Sequence, residues 1–120
     1  MRTLIHILLL SIITFPLLSK NLFESNFYEI NFVSNDIEYN KSLEIEKIKK
    51  LSINNIFKNV LISDDYDKLS NILDSNIINS FIKNIIIEDE KIINDNYYSK
   101  VKINYMKKKI INFLRNNNYS

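Results

Sequence analysis

The chain has 120 residues, 46% hydrophobic and 25% charged, with a formal net charge of +2. That balance fits one ordinary globular domain, and it excludes a disordered tail or a strongly basic nucleic-acid binder. Cysteine is absent and His6 is the single histidine, so beyond it the chain has no thiol chemistry, no disulfide, and no zinc or copper site built on thiolate or imidazole.

Isoleucine, asparagine and lysine dominate, glycine is absent, and Pro16 is the one proline. The favoured residues have codons rich in A and T, which points to drift in an AT-rich genome. Asparagine is then expected at turn positions that glycine usually fills, because it tolerates a left-handed backbone.

The N-terminus reads as an export signal. Arg2 gives a positive start, "TLIHILLLSIITFPLL" is apolar, and Ser19 is a small residue just before Lys20. Residues 1–19 are expected to be removed after Ser19, and 20–120 to form a single domain. The alternative is a retained inner-membrane anchor facing the periplasm, since Leu17 stands where a small residue is preferred and the stretch is near the lower length limit for a spanning helix. Cleavage removes His6, and with it the usual general base near neutral pH. Arg2 is the one basic residue ahead of Lys20, leaving fifteen Lys and Arg against fourteen Asp and Glu.

In chain order, "FYEINFVS" at 27–34 alternates as a half-buried strand, and "NDIEYN" makes a turn. From Lys41 to Leu61 the residues Ile45, Ile48, Ser52, Ile56 and Val60, with Ile53 and Phe57 beside them, recur at helical spacing. A second helical pattern carries Leu69, Ile72, Leu73, Ile77, Ile78, Phe81 and Ile82, with a break near Asp74-Ser75. Strands at 84–93 and 97–105 flank Asn94-Asp95-Asn96, and a last helix begins near Met106 with Ile110, Phe113 and Leu114 inward. The expected fold is α+β, order β-α-α-β-β-α, with a small three-stranded antiparallel or mixed sheet and the helices on one face. A hairpin alone is marginal and needs that cover.

The stretch "FIKNIIIEDEKIINDNYYSKVKINYMKKKIINFLR", within residues 81–116, resembles the signature of a bacterial family known as domain of unknown function two-zero-six-six. Two apolar residues at a helix end (Phe81, Ile82) lead into a strand (Ile87) and a glutamate (Glu90). Seven residues later comes a tyrosine (Tyr97). An alternating strand then ends in an aromatic (Tyr105), and an amphipathic helix follows (Ile110, Phe113, Leu114). The first half matches less closely, because the family's alanine-rich helix is here rich in isoleucine and lysine. The resemblance implies an exported protein of a Gram-negative bacterium and no known activity. Family members continue past the last helix, so the chain is expected to be an N-terminal piece of such a protein or a shortened version.

Three clusters could carry chemistry. Glu88, Asp89 and Glu90 are consecutive; on a regular strand Glu88 and Glu90 share a side, the geometry of a two-carboxylate hydrolase, but a charged solvent face is the commoner use. Asp64, Asp65 and Asp67 suggest a calcium loop. The glycine at the sharp turn is missing and Asn76 stands at the closing glutamate position, so a helix start is preferred. Lys107, Lys108 and Lys109 fall short of the clusters that usually mark anionic lipid, and read as the solvated face of a core helix.

In the hairpin, Tyr97, Ser99, Val101, Ile103 and Tyr105 should face the core. A three-residue loop with Asn96 left-handed would set Ile93 opposite Tyr97 and Ile87 opposite Ile103. Glu90 would then pair with Lys100 and Glu88 with Lys102 on the solvent face, and Asp89 would be the awkward residue; a two-residue loop is not expected, because it would put Glu88 opposite Val101 on the core face. No catalytic, cofactor-binding or metal-ligating residues are assigned, and no cofactor. The expected role is an exported, periplasmic, non-catalytic module that meets an unknown protein partner in the cell envelope, through a sheet edge, a helical face or a downstream domain. No nucleic-acid partner is expected, and membrane contact only through an uncleaved N-terminal segment. The alternatives are a carboxylate-only hydrolase acting on envelope glycans and a membrane-surface module.

Overall fold

The computed structural model describes residues 22–61 and 63–118. The proposed signal at 1–19, its cleavage after Ser19 and His6 lie outside them. The elements run β1 (Tyr28–Val33), α1 (Ile37–Val60), α2 (Ser63–Ser70), α3 (Ser75–Phe81), β2 (Ile82–Ile93), β3 (Asn96–Tyr105) and α4 (Lys107–Asn116). The fold is α+β with an antiparallel three-stranded sheet in the spatial order β1-β3-β2. Among the described residues no helix is long and apolar enough to cross a membrane.

Helix α1 starts earlier than the sequence reading had it, whereas the break expected near Asp74-Ser75 is present, and both starts trace to an aspartate cap. Helix α1 begins at Ile37, so "NDIEYN" is mostly helix: the Asp36 side chain accepts a hydrogen bond from the Tyr39 backbone N–H at 3.2 Å, and Glu38 sits in the first turn. The second helical pattern is split, as its expected break implied, into two helices, and Ile82, read with it, opens β2 instead. After Ser70 the chain turns through Asn71 and Ile72, and Asp74 caps a fresh start by accepting from the Ile77 N–H at 2.8 Å. The order is therefore β-α-α-α-β-β-α.

One core joins the sheet to all four helices. Ile48, Ile53, Ile56 and Phe57 of α1, Leu69 of α2, Ile78 and Phe81 of α3, and Ile110 and Leu114 of α4 are buried against the inward residues of β3. Burial of each such side chain stabilises the fold by about 1.5 to 3 kcal/mol. Phe81 anchors the helices to one another, meeting Phe57 edge-on at 6.4 Å between ring centres and Phe113 at 5.3 Å. Strand β3 is central and alternates as expected, with Tyr97, Ser99, Val101, Ile103 and Tyr105 buried and the residues between them half-exposed.

Ser52, the one polar residue in the inward series of α1, is explained by Tyr105. Their hydroxyls lie 2.5 Å apart in the core, and both reach the Lys49 carbonyl oxygen, at 3.1 Å from Ser52 and 3.2 Å from Tyr105. Burial pushes the Tyr105 phenol up to about 12. It therefore stays neutral and serves as a hydrogen-bonded strut between sheet and helix.

The hairpin register differs from the expected one. The loop has two residues, Asn94 and Asp95, so Ile93 lies opposite Asn96 and Ile92 opposite Tyr97. Asn94, with φ 55°, takes the left-handed backbone, not Asn96. Carried along a regular ladder, this register would set Glu88 against Val101 on the core face. A β-bulge between Glu88 and Lys91 prevents it by absorbing one residue, and Glu88 returns to the solvent face opposite Lys100, Ile87 to Val101 and Ile85 to Ile103. Asp89 is the bulge residue with φ 55°, a position such bulges usually give to glycine. A second irregularity falls at Lys83, between Ile82 and Asn84.

Candidate interaction site

The bulge decides what the acidic triplet can do. Regular strand geometry would put Glu88 and Glu90 on one side, whereas the extra residue at Asp89 sends them to opposite faces. Glu88 stays with Lys100 on the solvent face. Glu90 shares the face of Ile92 and Tyr97, where its Oε2 accepts a hydrogen bond from the Tyr97 hydroxyl at 2.7 Å and one from Lys41 Nζ at 2.8 Å. The carboxylate pair that a two-acid hydrolase requires is not formed by these residues.

The expected charge ladder is replaced by other pairs. Lys100 lies 3.9 Å from Asp89, Lys102 pairs with Glu24 at 3.2 Å, and Glu90 goes to Lys41 of α1. The sequence reading missed Lys41 because its partner lies 49 residues away. Lys41 also sits 5.7 Å from the centre of the Tyr97 ring, which stacks on Phe32 at 5.0 Å. The group is a clasp closing the first turns of α1 onto the hairpin.

The hydrogen bond from Lys41, with that from Tyr97 adding to it, lowers the Glu90 carboxyl below its ordinary 4.5, and the same contact raises the Lys41 ammonium. Burial raises the Tyr97 phenol. Because the native Glu90 value is depressed, the clasp contributes stability above the ordinary glutamate range and loses it as pH falls through the native value. The carboxylate is partly exposed, so the contribution is no more than about 1 kcal/mol. Carboxyl-detected NMR should place the Glu90 midpoint below those of solvent-exposed glutamates. Glu90→Gln should flatten the acid limb of a denaturation series; an unshifted midpoint would remove the clasp.

The other clusters behave as ordinary surface. Asp64 and Asp65 occupy the first turn of α2, where the helix dipole favours negative charge, and among the described residues no group of three or more acidic side chains is placed to hold a metal ion. Lys107, Lys108 and Lys109 are exposed while Ile110 and Leu114 of the same helix are buried. A cleft of about 140 Å³ between residues 22–28 and α1 is lined by Ser25, Asn26, Tyr28, Ser52 and Asn59. Its one carboxylate, Glu24, is engaged by Lys102.

What remains open is the outer edge of β2. It is an edge strand of twelve residues, and among the described residues the one backbone contact from outside the sheet is at its start, where the Ile82 N–H donates to the Asn79 carbonyl. The direction of its free groups follows from β3. Ile103 exchanges hydrogen bonds with Ser25 at 2.9 Å and 2.8 Å, and the Tyr105 N–H donates to the Phe23 carbonyl at 2.9 Å, all on the β1 side. Strand alternation aims the backbone of Lys102 at β2, where it meets Ile86. Ile85 and Ile87 therefore turn their N–H and C=O groups outward to solvent.

Between the irregularities at Lys83 and Asp89 lies a straight segment, Asn84 to Glu88, with three consecutive isoleucines. Ile87 is 37% exposed, and further along Ile92 and Ile93 are 56% and 66% exposed. Native edges are normally blunted by charge, proline or bulges; here the guards stand at the two ends of the segment and leave its middle open. No family model, curated protein or solved structure matches the chain.

Proposed function

We propose that this is a non-catalytic module of an exported protein, periplasmic in a Gram-negative cell, that binds another polypeptide along the outer edge of β2. The observation carrying this reading is the apolar edge segment Asn84–Glu88 with the backbone groups of Ile85 and Ile87 unpaired. An extended segment laid there gains main-chain hydrogen bonds and contact with the isoleucines, the usual mode of strand addition. Export is supported by the charged and apolar start followed by Ser19, and by the resemblance of residues 81–116 to an exported family. The separation of Glu88 from Glu90 supports the non-catalytic part.

Cells making the full chain with a photoreactive residue at Ile86 test both halves together. The envelope fraction should contain unreacted protein with the mass of a chain beginning near Lys20, and irradiation should give a heavier adduct. The same residue placed at Asn31, on the solvent face of β1, should give none. A full-length mass in the membrane pellet would overturn cleavage, and loss of the Ile86 adduct would overturn the binding role of the edge.

A further inference from the structure

We infer that the strand added to the β2 edge is β2 of a second copy of this chain, running antiparallel about a two-fold axis at Ile86, so that two three-stranded sheets join into one of six strands. This rests on reading the edge as a binding surface, and it is carried by the register that the segment's own charges and backbone directions select.

Backbone direction restricts the choice first. In an antiparallel pair, opposed residues either both aim their N–H and C=O groups at each other or both aim them away. The groups of Ile86 are used by β3, while those of Ile85 and Ile87 face out, so like must meet like and the axis must pass through a residue. With the axis at Ile86, each Ile85 meets the partner copy's Ile87 as a hydrogen-bonded pair, and the two Ile86 side chains meet as a non-hydrogen-bonded pair.

Charge then selects among the remaining axes. At Ile86, Asn84 lies opposite Glu88, and Lys83 opposite Asp89, twice over by symmetry. At Ile87 the axis would oppose Lys83 with Lys91, and at Glu88 it would oppose the two Glu88 carboxylates. At Ile85 it would set Lys83 against Ile87 and Glu88 against Ile82, with no charge matched. The Ile86 axis is thus the one that pairs opposite charges. Lys83 and Glu88 form no ion pair among the described residues, and Asp89 has only the loose 3.9 Å contact with Lys100. Asn84 uses its side-chain oxygen to accept from Asn104, which leaves its NH₂ group to donate to the Glu88 carboxylate of the second copy. The irregularities at Lys83 and Asp89 then limit the hydrogen-bonded ladder to the five residues Asn84–Glu88, with the Lys83 and Asp89 charges meeting just beyond its two ends, and so favour a closed dimer over open stacking.

The absence of cysteine from the chain makes the test clean. A non-hydrogen-bonded antiparallel pair brings Cα atoms to about 4.5 Å, within disulfide reach. The full chain, purified in the form the cell leaves it, should therefore give a disulfide-linked dimer as Ile86→Cys under mild oxidation. Asn31→Cys and Ile85→Cys should link far less, whereas a mixture of Ile85→Cys with Ile87→Cys should yield a cross-linked heteropair. Light scattering should show a dimer for the parent. Lys83→Glu and Asp89→Lys should each weaken it about tenfold, and the double charge swap should restore it.

A parent that is monomeric at all concentrations, with no Ile86→Cys linkage, overturns self-pairing. So does a double swap no better than the single variants. A photoadduct at Ile86 whose mass differs from two copies of the chain overturns self-pairing and leaves the edge as a binding surface. Absence of any adduct removes the surface itself.

Discussion

Phe57→Ala should destabilise the domain by about 3 to 5 kcal/mol. Phe57 is fully buried in the middle of α1, and its ring meets Phe81, which in turn meets Phe113 of the last helix. Truncation leaves a cavity where three helices converge, and the neighbours cannot all relax into it without losing the edge-on contacts. The loss is a large share of the stability of a domain this size. Urea denaturation followed by far-ultraviolet circular dichroism measures it directly. As a contrast, Leu51→Ala on the exposed side of the same helix should change stability by no more than about 0.5 kcal/mol. Equal effects at the two positions would contradict the helix orientation.

Two single-residue deletions in β2 should differ sharply although they lie three positions apart. Removing Ile86 forces Ile85 to take an outward position and brings Asn84 to the core face, because every residue upstream changes side. Lost apolar burial and a polar group turned inward should cost about 2 to 4 kcal/mol. Removing Asp89 should heal the bulge: Glu90 then stands opposite Ser99, and Glu88 keeps Lys100. It also removes a left-handed non-glycine residue, whose cost is about 1 to 2 kcal/mol. The Asp89 deletion should therefore lie within about 1 kcal/mol of the parent, with the cross-strand contact between Ile85 and Ile103 still visible by NMR. A collapse equal to that of the Ile86 deletion would show that the bulge does more than correct register.

The same bulge explains why the hairpin was half legible. The inward set Tyr97, Ser99, Val101, Ile103 and Tyr105 follows from alternation alone, and the structure buries all five. The rule that Glu88 must not meet Val101 also held. A loop one residue longer satisfies that rule, and so does a two-residue loop with a bulge; alternation cannot choose between them. The sequence signals that favour the second are Asn94 and Asp89, residue types that enter left-handed backbone in a chain without glycine. The start of α1 was missed for a related reason. Asp36 and Asp74 look like turn residues, and only their placement beside free backbone N–H groups makes them caps.

Local chemistry by itself determined the α+β class, the central strand and its inward face, the inward residues of α1 from Ile48 to Phe57, and the lysines left to solvent on α4. Each rests on a period of two or 3.6 residues, and a periodic pattern needs no knowledge of distant partners. Tertiary structure alone decided the rest. It chose the order β1-β3-β2, which leaves β2 at an edge, and it gave Ser52 its partner in Tyr105 and Glu90 its partners in Lys41 and Tyr97. These contacts join residues 7 to 53 positions apart. The choice among possible partners is made by the chain as a whole, when the helices close over one face of the sheet and leave its outer edge uncovered.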